Sequence, residues 1–517
     1  MLTEFRNEPF TDFSQPDNEK AMAAAIARVR SQLGKQHPLV VGGERLETGN
    51  WIVSTNPAAP GEVIGKFARA GSAEAEMAMQ AAAKAFQEWK RVPGHERARY
   101  LFKAAALMRA RKLELAAWMV LEIGKNWAEA DGDVAEAIDF CEFYGREMIR
   151  LSQGQPLTPY AGEENELVYI PLGVGIVIPP WNFPLAILTG MTTASIVCGN
   201  TVVLKPSSET PATAFQFLSI MEEAGLPPGV LNFVPGAGSE VGDYLVGHRQ
   251  TRFIAFTGSK EVGLRINELA ARPQKGQIWI KRVIAEMGGK DAIIVDRDVD
   301  PDLAAEGIAA SAFGFQGQKC SACSRAILHK DIYDQVLAKV VERTGKLTMG
   351  PVEDRHNFLG PVSSKSAYGS ILQYIEVGKK EGRLATGGEP APTPEGGFFI
   401  KPTVIADVSP TARIAQEEIF GPVLSVIKAD SWSQALEFAN NTEFGLTGAA
   451  YSRNRRHLEQ ARQEFHVGNL YLNRKCTGAL VGVHPFGGFN MSGTDSKGGG
   501  RDYLLLFTQA KAISERY

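Results

Sequence analysis

From Val174 onward the chain alternates between short apolar runs and helix-length segments. No other feature restricts the fold as much. "VGIVI" (174–178), "TVVLK" (201–205), "LNFVP" (231–235), "RFIAFT" (252–257) and "VIAEM" (283–287) are of strand length and apolar almost throughout. Between them "AILTGMTTASIVCG", "TPATAFQFLSIMEEAG" and "GSEVGDYLVGH" suit helices. Strands that are apolar on both faces and joined through helices form a parallel sheet covered on both sides. A second series opens at "DAIIVD" (291–296) and runs through "DLAAEGIAASAFGF" to "RAILH", "TVIAD" and "GPVLSVIKA". A chain of 517 residues exceeds one ordinary core, so two α/β domains are expected. Residues 75–153 read as several helices, with apolar residues at i, i+3, i+4 and i+7. "ENELVYIPLG" (164–173) alternates like a hairpin arm, and the tail "YLLLFTQAKAISE" reads as a lone strand. Neither has a core of its own, which suits contacts between subunits.

Charge narrows the partners. Fifty-five basic against 58 acidic residues leave a net −3, which gives no reason to expect nucleic acid or an anionic membrane. The opening "MLTEFRNEPFTDFS" is too interrupted by acids and polar residues to be a signal-peptide core. The most apolar stretch, "PLGVGIVIPPWNFPLAILTG" (171–190), is broken by prolines and an Asn and should not span a membrane. Five cysteines are too few for a disulfide framework. Cys141 and Cys198 read as small core residues. The eight histidines pair with no cysteine at zinc-ligand spacing, so no metal is expected. A reducing cytosol is the expected compartment.

Several short segments carry chemistry. In "FTGSKEVG" (256–263) a buried run ends at a glycine-bracketed helix start, where free N–H groups suit a pyrophosphate. The spacing is not G-x-G-x-x-G, and a plain strand-to-helix turn is an equal reading. Lys205 in "VVLKPS" stands at a strand's carboxyl end, where such sheets bind ligands; alternatively it is a solvated lysine. Prolines stiffen "PPWNFP" (179–184), so Asn182 is either an oxyanion donor or a loop residue bonded to its own backbone. Glu286 in "AEMGGKD" ends a buried strand. There a carboxylate is either satisfied by backbone N–H groups or raised in pKa and available as a base. "EEIFGPV" (417–423) reads as a helix end or as a site for a ribose and an aromatic ring face. "TGALVGVHPFGGFNMSGT" (477–494) is a glycine-rich loop able to offer N–H groups to a small anion, or a flexible linker.

"FGFQGQKCSACS" (313–324) holds Cys320 and Cys323 three positions apart. The spacing admits a redox pair, half of a metal site, or one reactive thiol beside an inert neighbour. A metal site lacks further ligands nearby, and a thioredoxin-like pair would start a helix after a strand, the reverse of this context. Gly314 and Gly317 leave room around Cys320, and the Lys319 cation is expected to favour its thiolate. A structural pair of buried thiols stays open.

The order and spacing of these pieces resemble the aldehyde dehydrogenase superfamily. "PWNFP", "LKPS", "FTGS…VG", "EMGGK", "GQKC", "EEIFGP" and "PFGGFNMSG" follow one another in its succession across nearly the whole chain. A narrower resemblance lies in "NEPFTDFS", "RVIAEMGGKD", "FGFQGQKCSACSRA" and "NLYLNRKCTGALVGVHPFGGFNMSGTDSKGGG". It points to the branch that oxidises L-glutamate γ-semialdehyde in proline and arginine breakdown. Dehydrogenases of succinate or α-aminoadipate semialdehyde are the nearest alternatives; a cysteine hydrolase and a non-catalytic binding protein are distant ones.

The resemblance implies an aldehyde dehydrogenase-like α/β fold. A Rossmann-type dinucleotide domain is expected over 1–153 and 177–288, and a catalytic domain over 289–484. A small β oligomerisation arm and tail are expected over 154–176 and 485–517. It implies Cys320 as nucleophile, Asn182 as oxyanion donor and Glu286 as general base. Pro180, Trp181, Lys205, Ser208, Gly238, Gly242, Phe256, Gly258, Ser259, Glu418 and Phe420 would hold the dinucleotide. Ser321, Gly478, Ala479, Phe486 and Glu136 would hold the substrate. NAD is the implied cofactor. Relatives strict for NAD often carry Glu where Ser208 stands, so NAD is expected as the main cofactor with some tolerance of NADP. A homo-oligomer is expected.

Overall fold

The computed structural model describes residues 3–517. The five apolar runs form parallel neighbours in one sheet, in the order Arg282–Glu286, Thr251–Thr257, Val174–Ile178, Thr201–Leu204, Leu231–Phe233. Successive residues go to opposite faces. Val177, Val202 and Phe253 enter one apolar cluster, and Ile176, Val203 and Ile254 enter another. Both faces are therefore buried, which is why the runs show no polar alternation. Two short strands that the periodicity does not announce, Leu39–Val41 and Glu44–Leu46, extend the sheet antiparallel. A further three-stranded sheet, Lys35–His37, Ala59–Ala68 and Trp51–Asn56, also lies in the first 75 residues.

The second sheet follows the order Arg383–Thr386, Thr403–Ala406, Val423–Ala429, Arg325–His329, Ala292–Val295, Thr447–Tyr451, Asn469–Leu472. Only its first strand is antiparallel. Ile293, Leu328 and Val426 face one cluster, and Ile294, Ile327 and Ile427 face the other. Truncating one of these, for instance Ile294→Ala, would cost about 2–5 kcal/mol through lost transfer energy and a residual cavity.

Helices Ser72–Trp89, Gly94–Ala110, Lys112–Ile123 and Trp127–Leu151 occupy the expected helical region. The break between the last two has a local cause. Gly124 takes a left-handed φ of 70° and ends one helix; the Asn126 side chain accepts the Glu129 N–H and starts the next. In helix Trp127–Leu151, residues 129, 133 and 136 recur at i, i+4 and i+7 and so share one face.

This topology fixes where a ligand can enter. Val174–Ile178 and Thr251–Thr257 are neighbours, but the chain leaves them toward opposite sides of the sheet. The crevice beyond their carboxyl ends is a topological switch point, and there lie the loop 179–184 and the turn 257–259. The two arm segments pair with each other: Glu163–Pro171 runs antiparallel to Thr508–Arg516, from Thr508 against Pro171 to Arg516 against Glu163. The outer half of the second strand is exposed. Among the described residues no helix is long and apolar enough to cross a membrane.

Candidate active site

Cys320 and Glu286 line the same cavity, of about 990 Å³. Glu286 arrives as the last residue of strand Arg282–Glu286. Cys320 arrives by a less ordinary route. Phe315, Gln316 and Gly317 take left-handed φ values of 48°, 56° and 67° in succession, a conformation costing roughly 1–2 kcal/mol at each non-glycine residue. Neighbours hold the turn. Gln316 Nε2 donates to the carbonyls of Gly124 (3.2 Å) and Pro361 (2.8 Å), and Phe315 is fully buried with the Lys125 ammonium 4.9 Å from its ring. At position 317 a Cβ would overlap the Gly421 carbonyl, so only glycine fits.

The rigid loop 179–184 is tied to this turn. Asn182 Nδ2 donates to the Gln318 carbonyl at 3.0 Å, which uses one of its two amide hydrogens. The loop's far end is fixed by Asp133, whose Oδ1 accepts the Ala186 N–H at 2.6 Å. Asp133 is in turn paired with Lys125 at 2.7 Å, both side chains fully buried. The Lys125 ammonium also lies 4.0 Å from the Phe183 ring.

The electrostatics correct one expectation. Lys319 does not favour a thiolate at Cys320. Its Nζ is 2.6 Å from Glu129 Oε1, so the cation is already neutralised. Burial pushes the Cys320 thiol well above its ordinary range, and the carboxyls of Asp291, Glu418 and Glu286 push it further. Burial also raises Glu286 to about 8, opposed by hydrogen bonds from Ser496 and the Gly488 N–H. Cys323 does not join Cys320 on the cavity wall. It is buried and donates to the Arg325 carbonyl at 3.4 Å. Of the three readings of the spacing, this geometry matches one thiol open to a cavity beside a packed neighbour. Cys141 and Cys198 are core residues, as the pattern suggests.

The crevice residues form a second group. Lys205, 6% exposed, follows strand Thr201–Leu204, and its Nζ has only the carbonyls of Pro206 and Gly236 as partners, each at 3.2 Å. A buried ammonium without a carboxylate suits a ligand's hydroxyl or phosphate oxygens; burial lowers it to about 8. A Cβ at Gly238 would meet nothing within 4 Å, and one at Gly242 would come 3.7 Å from the Lys205 chain, so the backbone there is open to close approach. Ser259 caps helix Lys260–Ala271 by accepting the Val262 N–H. Ser208 is exposed. From the second sheet, Glu418 accepts the Gly289 N–H at 3.0 Å, and Phe420, at φ 55°, packs edge-on to Trp181 at 5.4 Å, next to Pro180. The donor set and the open glycine backbone fit a dinucleotide. Phe256 stands apart: its ring is buried behind Gly258 and Gly263 and supports the turn from below.

Ser321, Gly478, Ala479, Phe486 and Glu136 all line the same cavity as Cys320. Burial, with Asp133 nearby, raises Glu136 to about 8. Gly478, at φ 82°, lies on a turn shaped by Arg474, whose Nη2 donates to the Thr477 (2.8 Å) and Gly478 (3.3 Å) carbonyls. Sequence reasoning missed Arg474, Lys475 and Glu129, which also line this end. The dipeptide "RK" just before "CTGAL" was the available signal. It also missed that Phe10 and Phe13 of the opening segment reach the cavity mouth.

Over residues 45–513 the chain matches the aldehyde dehydrogenase family. A 1-pyrroline-5-carboxylate dehydrogenase of Geobacillus kaustophilus is 60% identical over 517 residues, with 100% of each chain covered. The 1-pyrroline-5-carboxylate dehydrogenase 2 of Bacillus subtilis is 56% identical over 517 residues, again with 100% of each covered. The crystal structure of a 1-pyrroline-5-carboxylate dehydrogenase from Thermus with bound NAD has a TM-score of 0.98 at 55% identity, covering 100% of each chain.

Proposed function

Because the chain belongs to the aldehyde dehydrogenase family, we propose that it oxidises L-glutamate γ-semialdehyde, the open form of 1-pyrroline-5-carboxylate, to L-glutamate with NAD. The observation that carries this reading is one cavity with a thiol and a raised carboxyl at one part of its wall and a charged, glycine-turned end at another. The names of the full-length relatives support the substrate, and the NAD-bound Thermus structure supports the cofactor. The first sheet would carry the dinucleotide and the second the thiol.

Cys320 Sγ attacks the aldehyde carbon and forms a thiohemiacetal. Burial keeps the thiol protonated, so this bond forms as its proton leaves to solvent through the open cavity. The oxyanion is stabilised by the second amide hydrogen of Asn182 and by the Cys320 N–H. A bound dinucleotide supplies the hydride acceptor; Lys205, Gly238, Gly242, Gly258, Ser259, Glu418 and Phe420 would hold it, with Pro180 and Trp181 flanking. Glu286 then activates the water that hydrolyses the thioester. The α-carboxylate of the substrate would meet Ser321 and the backbone of Gly478 and Ala479, with Phe486 beside it and Glu136 toward the ammonium. Exposed, uncharged Ser208 leaves room for a 2′-phosphate, so NADP is accepted as a poorer cofactor. Five free thiols favour a reducing cytosol. The two-stranded arm, with its exposed outer strand, favours self-association.

The test is NADH formation from pyrroline-5-carboxylate by the wild type, Cys320→Ala and Glu286→Gln. Turnover by the wild type alone supports the reading. Equal turnover of simple aliphatic aldehydes would contradict the substrate, and product release without a dinucleotide would contradict the reaction.

A further inference from the structure

A carboxyl on a cavity wall can be fixed by an opposite charge or by neutral donors. Glu286 has only the second kind. Its Oε2 accepts the Gly488 N–H at 3.2 Å, and its Oε1 is bonded by the Ser496 hydroxyl. Ser496 is itself 3% exposed. The next residue, Lys497, does not take the carboxylate. Its Nζ donates to the Gly468 (2.7 Å) and Gly487 (2.6 Å) carbonyls and so braces the loop instead. The other groups facing Glu286 are Asp495 and Lys497 from the loop, Cys320 across the cavity and Tyr503 from the turn that follows.

The loop is fixed so that this hydroxyl faces the carboxyl. Its ends close on each other through paired Phe486 and Gly498 backbone bonds, each 2.8 Å. It is stitched to strand Arg282–Glu286 on both sides of the carboxyl. The Met287 N–H donates to the Ser492 carbonyl at 2.7 Å, and the Thr494 N–H donates to the Ala285 carbonyl at 2.9 Å. At Gly487 a Cβ would overlap the Ser496 carbonyl and come 2.8 Å from Glu286 Oε1; at Gly493 it would come 3.1 Å from Oε2. The glycines of "PFGGFNMSG" thus let backbone and hydroxyl close around a carboxyl of the protein itself.

We propose that Ser496 is a positioning residue for thioester hydrolysis, holding the Glu286 carboxyl in the orientation from which it deprotonates the attacking water. This rests on the reading of Glu286 as the base. In the step concerned, a water proton passes to the Glu286 carboxylate and the water oxygen bonds to the acyl carbon. The carbon–sulfur bond then breaks, and its electron pair leaves on Cys320 Sγ, which recovers a proton. Ser496 donates to the carboxylate, so its bond favours the ionised base against the burial that opposes it. Without it the base would be both less well aimed and less ionised at neutral pH.

The test isolates hydrolysis from hydride transfer. p-Nitrophenyl acetate acylates Cys320 by thiol attack and release of p-nitrophenolate, with no dinucleotide present. Decay of the acetyl-enzyme is followed by intact mass between about pH 6 and 9.5 for the wild type, Ser496→Ala and Glu286→Gln. Ser496→Ala should acylate as fast as the wild type but lose its acetyl group about tenfold more slowly near pH 7, as for a base weakened by one pKa unit. The gap should narrow as pH rises. Decay within twofold of the wild type at every pH would overturn the proposal. So would a slowing that is the same at every pH, or a loss of acylation as well, since either makes Ser496 a structural residue. If Glu286→Gln also decays like the wild type, it is the reading of Glu286 that fails; if only Ser496→Ala does, Ser496 alone is misassigned.

Discussion

Asp133, buried, and Glu286, half-buried on the cavity wall, are both carboxyls, and they are handled in opposite ways. Asp133 faces a fully buried Lys125 ammonium at 2.7 Å and also accepts the Ala186 N–H. Burial raises it, and the Lys125 charge opposes the rise. Glu286 has no cation bonded to it, only the Ser496 hydroxyl and the Gly488 N–H, and it rises to about 8. The first arrangement is costly to break and holds the Asn182 loop in place. The second leaves a proton that can come and go near neutral pH. At Asp133 the counter-charge suits a frame, whereas the neutral partners of Glu286, on the cavity wall, suit the proposed base.

The contrast can be broken from either side. Glu286→Gln should cut turnover by about 10²–10⁴-fold, the usual contribution of a positioned base, without lowering the melting temperature. A matching fall in both would erase the distinction. Lys125→Met should do the reverse. Leaving Asp133 buried and unpaired should cost about 3–5 kcal/mol in urea unfolding, while Lys125→Met with Asp133→Leu should regain much of that stability. A double variant no more stable than the single would show that Lys125 contributes through packing and not through charge.

Two smaller effects sharpen the comparison. Glu286 accepts a proton only when ionised, so kcat should climb with pH along a limb centred near its value of about 8, falling about tenfold per unit below it. That limb should vanish in Glu286→Gln, and a flat wild-type profile between about pH 6 and 9 would contradict the assignment. Smallest is Ser208→Glu, at the exposed end of the crevice. Use of NADP should drop by about tenfold, some 1.4 kcal/mol, with NAD little changed. An equal loss with both dinucleotides would mean that Ser208 does not face the 2′ position.

Much of this was legible in the chain because it is local. The central strands of the first sheet and four of the second announced themselves as apolar runs, since residues buried on both faces cannot alternate, whereas Leu39–Val41, Glu44–Leu46, Arg383–Thr386, Thr447–Tyr451 and Asn469–Leu472 did not. Glu286 and Cys320 stood out because glycines mark the close approaches around them. What was not legible depends on partners distant in sequence. Lys319 looked like a thiolate's counter-ion, but Glu129, 190 residues away, takes its charge. Ser496 bonds a carboxyl 210 residues earlier, and no spacing rule connects them. The strand Lys35–His37 is mostly exposed and carries no period. The arm strands were each readable as extended, yet their pairing with each other is a property of the folded chain.

In the proposed reaction the Cys320 sulfur carries the acyl group and Glu286 activates the water that removes it. The most direct measurement is peptide mass spectrometry of Glu286→Gln quenched during reaction with pyrroline-5-carboxylate and NAD. A glutamyl adduct is expected on the peptide containing Cys320, confined to that residue and absent from Cys323, Cys476, Cys141 and Cys198. An adduct on another cysteine, or steady NADH production at the wild-type rate with no adduct on any of the five, would contradict it.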